Sequence, residues 1–515
     1  MKRSLEIMDT TLRDGEQTSG VSYSPKEKLT IAKLLLDELK IDRIEVASAR
    51  VSEGELNSVK QITSWAKKNK KIESIEVLTF LDDGKSIKWL LDSGCSVQNL
   101  LTKGSFNHLK HQLKKTPSNH FKDILETIKR AEENSIHTNV YLEDWSNGMK
   151  SSKEYVIDFL DFLYDQKIKR LLLPDTLGIL THHETYEYIS EIKMKYPDFH
   201  IDFHGHNDYD LSVGNSMEAV RGGCDGLHLT INGMGERAGN TPLSSAVAAI
   251  KDFMPNIKIN VDEKNLFKAS KLISTFSGQT VSSNKPIVGE NVFTQTAGVH
   301  ADGDNKKNLY HNNLNPNRFG RKRRYALGKT SGKANIKKNL DELGIKLNDK
   351  ELGIITSKVI ELGDKKEKVT IEDLPYIIND VLDYPTKKNN IKIESYVLTH
   401  AKTLRPSVSI SLIIDGTLHQ ESCSGDGQFD AFMNALKKIY AKQKIALPKL
   451  IDYAVRIPPG SDSDAFCETT ITWDSGSKKF KTRGLDTDQT VAAIKATEKM
   501  LNLSLIHISE PTRPN

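Results

Sequence analysis

The feature that most constrains this chain is an alternation that recurs eight times in its first half. Short strand-like runs fall at Leu5–Asp9, Arg43–Ser48, Ile75–Phe80, Val97–Thr102, Thr138–Glu143, Arg170–Asp175, His200–His204 and Gly226–Asn232, with amphipathic helical stretches between them. The helical stretch Pro25–Leu39 opens after Ser24, a good N-cap residue, with proline at the first helical position. Phe121–Glu133 and Glu154–Tyr164 are similar. Eight strand–helix units in about 250 residues have the count and length of a (β/α)8 TIM barrel. An open doubly wound sheet is the alternative, and it requires a reversal of strand order that a sequence does not display.

A barrel presents its chemistry at the C-terminal ends of its strands, and the polar residues cluster at those positions. The first run leads into Thr10-Thr11-Leu12-Arg13-Asp14-Gly15-Glu16-Gln17. The fifth ends in Glu143-Asp144, the sixth in Asp175-Thr176, the seventh in His204-Gly205-His206, and the eighth in the loop Gly233–Asn240. Residues i and i+2 of a strand face one side, so His204 and His206 point the same way. With Asp14 they make two imidazoles and a carboxylate, a set that suits Mg²⁺, Mn²⁺ or Zn²⁺ and leaves coordination positions open. Asn240 is placed to add a carbonyl oxygen. Arg13 is read either as a fork for a substrate carboxylate or carbonyl, or as a barrel-rim ion pair. Glu143 follows apolar Val140 and Leu142, so it is expected to be partly desolvated. It is read either as a general base or as the partner of Arg13. The glycines at 233, 235 and 239 are not in a strand–GxGxxG–helix setting and read as a turn.

Composition narrows the class. At 515 residues the chain is expected to hold two to four domains. Its 73 basic residues face 68 acidic ones, a near balance that argues against a nucleic-acid binder. Four distant cysteines without a Cys-x-x-Cys pair suggest reduced thiols in the cytoplasm. No signal peptide and no membrane span are expected.

The stretch Asp9–Gln17 resembles the signature of the α-isopropylmalate synthase family, which takes in homocitrate and citramalate synthases. His204–Asp208 and Gly233–Asn240 match the family's other two motifs in order, and the resemblance reaches about Asn502. It implies a Claisen-type condensation of acetyl-CoA with a 2-oxo acid, followed by thioester hydrolysis. By resemblance Asp14, His204 and His206 hold the metal with Asn240 nearby, and Thr176 bonds the substrate carboxylate. Family members commonly carry Glu four residues after that Asn, where Ser244 stands here. The segments Ile44–Arg50, Asn99–Gly104 and Val140–Gly148 are most similar to the pyruvate-specific members. On that resemblance Leu78, Leu101 and Tyr141 wall the pocket for the oxo-acid tail. Side chains of that size admit a methyl group and penalise an isopropyl group by roughly 1–3 kcal/mol. The rival within the family uses 2-oxoisovalerate. Outside it, a metal-dependent aldol or thioester lyase and a non-enzymatic metabolite sensor are weaker readings.

The barrel is assigned to residues 1–275 and a linker with a small helical subdomain to 276–390. That region contains helices at Ala334–Leu343 and Asp349–Leu362. Gly328–Lys333 lacks P-loop spacing, so nucleotide hydrolysis is rejected. The basic run Arg318–Arg324 is a solvated loop, a subunit contact or a phosphate site for CoA. By resemblance His300 and Tyr310 complete the active site of a neighbouring subunit in a homodimer, and Asp302, Asn308, Leu309, Tyr310 and Arg318 contact CoA. From Ile391 to residue 503 strands and helices regroup as an α+β domain. It serves dimerisation alone or, by resemblance, allosteric binding of isoleucine through Phe429, Asp430, Leu450, Tyr453 and Ile457. A tyrosine is the expected residue at Phe429. Residues 504–515, with two prolines and no continuing period, resemble a non-native tail outside the fold.

Overall fold

The computed structural model describes residues 3–305, 309, 312–364, 369–382, 391–456, 467–476 and 479–508. Eight parallel strands close into a barrel in sequence order: Glu6–Asp9, Arg43–Ser48, Ile75–Thr79, Val97–Lys103, His137–Glu143, Arg170–Asp175, Ile201–Gly205 and Gly226–Leu229. The first strand pairs with both the second and the eighth, which closes the ring and excludes the open sheet. Strands three, six and seven are buried along their length and strand four at every position but Leu101, as a parallel sheet covered by helices requires. The helix Pro25–Lys33 opens as expected: Ser24 accepts from the Glu27 N–H, and the Glu27 carboxylate caps Ser24 in return. It continues as a π-helical turn over Leu34–Glu38.

The barrel unit extends beyond residue 275. The first compact unit runs to Thr294 and takes in the turn Pro316–Phe319. Phe319 stacks on Phe293 at 5.8 Å, and the Arg321 guanidinium lies 4.3 Å from the Phe267 ring centre. Part of the expected linker and of the basic run is therefore fastened to the barrel by aromatic and cation–π packing.

The second unit contains two separate apolar cores. The helices Lys333–Leu343, Asp349–Asp364 and Leu374–Leu382 share one. The other belongs to a βββα motif used twice. Strands Lys392–Ala401, Leu404–Ile414 and Thr417–Ser424 form an antiparallel sheet followed by the helix Gln428–Gln443. Lys449–Arg456, Cys467–Asp474 and Lys479–Asp486 form another, followed by the helix Gln489–Ile508. That last helix extends helical backbone to Ile508, into the stretch expected to lie outside the fold.

Candidate active site

The loop after the first strand and the end of the seventh converge at the barrel mouth. His204 Nε2 lies 3.5 Å and His206 Nε2 3.8 Å from the same Asp14 oxygen. All three residues are buried, and their ligand atoms lie within 4.8 Å of one another. The separations are too long for good hydrogen bonds and leave the lone pairs directed at a common space. The Nδ1 atoms of both histidines are buried without a partner.

Charge state suits the same purpose. Burial pushes the Asp14 carboxyl up, but the Arg13 guanidinium and the two histidines outweigh it and hold Asp14 well below the usual carboxylate range. Burial pushes both imidazoles down, His206 to about 4 with the help of neighbouring His204. The resting site is thus one carboxylate and two neutral imidazoles, the protonation state a divalent cation needs. These residues fit such an ion.

The loop after the eighth strand folds back and bridges to the seventh, His206 opposite Asn240. This carries the Asn240 side chain to Asp14, where Nδ2 donates to Oδ1 at 2.9 Å and to the Met234 carbonyl at 3.0 Å. The Asn240 Oδ1 is buried without a hydrogen-bond partner. In this orientation the amide holds Asp14; turned over, it would offer its oxygen at the same place. The glycines of the loop follow from crowding. A Cβ on Gly235 would come within 2.1 Å of Asn240 Nδ2, and one on Gly239 within 2.0 Å of the Gly233 carbonyl. Ser244, where the family commonly has Glu, is buried with its hydroxyl unpartnered.

Arg13 finds a different partner from the expected one. Its Nε donates to Glu45 at 2.5 Å and its NH1 to Asp14 at 2.8 Å. Glu45, on the second strand, also accepts from Asn99 at 2.7 Å. Glu143 instead forms an ion pair with Lys103, its register partner on the fourth strand, and is a quarter exposed. Glu143 is thus only partly buried, and the Lys103 ammonium at the end of the fourth strand sets its surroundings. Thr176 accepts from the Asp144 N–H at 2.9 Å, which leaves its own hydrogen available.

Leu78 and Tyr141 pack with Leu172 in a small apolar cluster, and Phe80 and Leu101 lie against it. Leu101, Tyr141 and Leu172 are register partners on strands four, five and six, so they stand side by side. The structure thus brings Leu78, Leu101 and Tyr141 together in one apolar cluster, with Leu172 and Phe80 added.

Other residues at the mouth escaped the sequence reading. Lys28 is fully buried and pairs with Glu16 at 2.6 Å and Glu55 at 2.7 Å. It also donates to the Leu12 and Val46 carbonyls, next in chain to Arg13 and Glu45. Arg237 forks onto Asp208 at 2.8 and 3.0 Å and donates to the Thr176 carbonyl, tying together the loops after strands six, seven and eight. Lys28 is a charge within a helix and Arg237 one within the Gly233–Asn240 loop, and which carboxylate each meets depends on closure of the barrel.

The residues expected to contact CoA belong to both units. Arg318 is engaged by Glu263 at 2.9 and 2.7 Å and by Asp252 at 2.5 Å, in the barrel unit. Those carboxylates occupy the guanidinium faces that a CoA phosphate would need, so its expected role is corrected to an anchor for the Pro316–Phe319 turn. His300 and Asp302 lie on the helix Gly298–Asn305 of the second unit, and Leu309 is exposed there. Asn308, Tyr310 and Ile457 lie outside the described residues.

In the second unit Phe429, Asp430, Leu450 and Tyr453 line one open cavity of about 700 Å³, together with His400, Gln428 and Thr490. The Phe429 and Tyr453 rings lie 5.2 Å apart. Four of the five expected effector residues are thereby brought together.

A closed (β/α)8 barrel with a carboxylate–imidazole–imidazole set at its C-terminal rim defines a metal-dependent barrel enzyme. Residues 4–273 match the HMGL-like family, 287–367 the homocitrate synthase post-HMGL domain-like family, and 368–505 the LeuA allosteric (dimerisation) domain. The chain is 32% identical to an (R)-citramalate synthase of Methanocaldococcus jannaschii, over 97% of this chain and 99% of that one. It is also 32% identical to the 2-isopropylmalate synthase of the same organism, over 96% and 94%. A 2-isopropylmalate synthase of Aquifex aeolicus is 30% identical over 98% and 97%. The chain belongs to the citramalate and 2-isopropylmalate synthase family, with an HMGL-like barrel and a LeuA domain, and is an acyltransferase of the acetyl-CoA-condensing type. Equal identity to both kinds of synthase leaves the oxo acid to the pocket. Among the described residues no helix is long and apolar enough to cross a membrane.

Proposed function

We propose that this enzyme condenses pyruvate with acetyl-CoA to (R)-citramalate, as a cytoplasmic homodimer inhibited by isoleucine. The observation that carries the reading is the wall of Leu78, Leu101, Tyr141 and Leu172 beside Arg13 and the histidines. Four bulky side chains at the barrel mouth suit a methyl tail better than an isopropyl tail.

The residues then divide the work. Asp14, His204 and His206 hold the divalent metal (Mn²⁺, Mg²⁺ or Zn²⁺), with Asn240 beside them. When bound, the metal polarises the oxo-acid ketone as a Lewis acid. Thr176 donates its hydroxyl hydrogen to the pyruvate carboxylate. Glu143, held by Lys103, takes a proton from the acetyl-CoA methyl group, and the resulting carbanion attacks the ketone carbon. Arg13, fixed by Glu45, donates to the oxygen on which negative charge develops. Water then cleaves the thioester and releases CoA. His300 and Tyr310 come from the second subunit, as in the family the chain resembles, and Asp302, Asn308 and Leu309 meet CoA.

A panel of 2-oxo acids offered with acetyl-CoA, read by free CoA thiol, tests this. Pyruvate is expected to give the highest kcat/KM. A preference for 2-oxoisovalerate would make the chain a 2-isopropylmalate synthase.

A further inference from the structure

Below the metal-binding residues lies a second group of buried side chains that the chemistry above does not use. His228 stands on the eighth strand in register with His204. Its Nε2 is 3.0 Å from Asp202 Oδ2 and its Nδ1 2.9 Å from the Tyr141 hydroxyl. Asp202 is held in turn by Arg43, which donates at 2.5 Å and itself bonds Glu76 at 3.1 Å. Both His228 and Asp202 are wholly buried.

We propose that His228 and Asp202 are positioning residues that pin the Tyr141 ring, and so set how large a 2-oxo acid tail the pocket admits. The inference rests on Tyr141 walling that pocket, as in the function proposed above.

The direction of each hydrogen bond follows from chemistry. Asp202, beside a guanidinium, is an ionised acceptor, so the hydrogen of a neutral His228 must be on Nε2. His228 Nδ1 therefore carries a lone pair, and the Tyr141 hydroxyl donates to it. The single hydroxyl hydrogen is thus committed away from substrate. Tyr141 can offer the oxo acid only a ring edge and an oxygen.

The ring is gripped from several sides. It meets His204 edge-on at 6.2 Å and His228 at 5.5 Å, and Arg13 lies 5.9 Å from its centre. Those neighbours restrict sliding but leave tilt about the ring's long axis and withdrawal from the wall, and the bond to His228 opposes withdrawal. Part of the anchor shares a strand with the metal ligands: Asp202 and His204 lie two apart on one face of the seventh strand, and His206 follows directly after its end. One rigid strand therefore spaces both the ketone-binding residues and the wall against which the tail must fit.

The test uses the full-length protein with pyruvate, 2-oxobutyrate and 2-oxoisovalerate, resolving kcat and KM. Tyr141→Phe keeps the ring and removes the tether. Its ratio of kcat/KM for pyruvate over 2-oxobutyrate is expected to fall about tenfold, through a raised KM for pyruvate and with kcat changed less than threefold (~1.4 kcal/mol per tenfold change). His228→Gln retains one donor and one acceptor and is expected to keep the ratio within about twofold of the wild type. His228→Leu should lower the ratio as Tyr141→Phe does, and adding it to Tyr141→Phe should lower it no further. An unchanged ratio in Tyr141→Phe overturns the proposal, as does a full additive effect of His228→Leu in the double variant. Should His228→Leu not fold, Tyr141→Phe and His228→Gln decide alone. Which acid the wild type prefers tests the proposed substrate; how the variants change the ratio tests the anchor.

Discussion

The barrel mouth and the cavity at Phe429 are built on opposite principles. At the mouth the polar groups around Asp14 are largely buried and hold one another: Asp14 is held by Arg13 and Asn240, Arg13 by Glu45, Glu45 by Asn99. At the cavity Leu450 and Tyr453 are more than a third exposed, and they stand on a strand whose eight residues are all exposed. Asp430 accepts from the Asp426 N–H and from Asn434, both exposed contacts. A site that stabilises a transition state must be fixed before substrate arrives. A site that only biases an equilibrium needs a difference in affinity between two states, typically about 1–3 kcal/mol. Rigid burial suits the first purpose, and an open cavity of the kind at Phe429 would suit the second.

Removing a metal ligand should break the mouth most severely. His204→Ala and His206→Ala are each expected to lower kcat/KM at least about a thousandfold with circular dichroism unchanged, because the remaining ligands no longer hold the ion. Chelation should inactivate the wild type likewise. Added divalent metal should restore the wild type alone, and activity of either variant in metal-free buffer would show that the triad does something else.

The next effect is at Glu143. Glu143→Gln should bind pyruvate but lose roughly 10²- to 10⁴-fold in condensation. Exchange of the acetyl-CoA methyl hydrogens with solvent should be slowed to match, and exchange at the wild-type rate would remove Glu143 from the role of base.

Subunit sharing predicts a smaller signal. Asp14→Ala and Tyr310→Ala, each inactive alone, should regain about a quarter of wild-type activity when mixed and allowed to exchange. Half of the dimers are then hybrids, and each hybrid has one intact site. No recovery after proven exchange would place His300 and Tyr310 in the same subunit's site.

Acid should loosen the metal-free mouth. A histidine lowered to about 4 in the fold, against about 6.5 unfolded, binds fewer protons folded than unfolded between those values. Stability therefore falls as pH drops from about 6.5 toward 4, by at most about 3 kcal/mol for His206, and flattens below. Urea midpoints of wild type and His206→Phe across that window measure it; parallel curves would mean that His206 is not the group titrating.

The cavity should show the smallest effect. Isoleucine is expected to inhibit and leucine to do so weakly or not at all, and Asp430→Asn should weaken isoleucine inhibition about tenfold by removing the partner of its ammonium group. Stronger inhibition by leucine would reverse the effector and undercut pyruvate as the substrate.

Much of this molecule was legible before folding. The eight barrel strands lie within about three residues of their expected bounds, because a buried parallel strand is a local run of apolar residues between turn signals. Strands Thr417–Ser424 and Lys479–Asp486 were missed. The first has no buried residue and the second buries only Thr482 and Gly484, so neither carries an apolar period. The helix Leu374–Leu382 was also missed, being short and apolar.

The sequence by itself determined the kinds of groups at the site and which strand end carries each, since Asp14, His204 and His206 lie in contiguous motifs at the ends of readable strands. Tertiary structure alone decided how those groups pair. Arg13 meets Glu45 rather than Glu143, Arg318 meets Asp252 and Glu263, and Asp202, His228 and Tyr141 connect across three strands of the ring. The reason is geometric. Periodicity reports which face of a strand a residue occupies, but the partner on that face depends on the register and closure of all eight strands together.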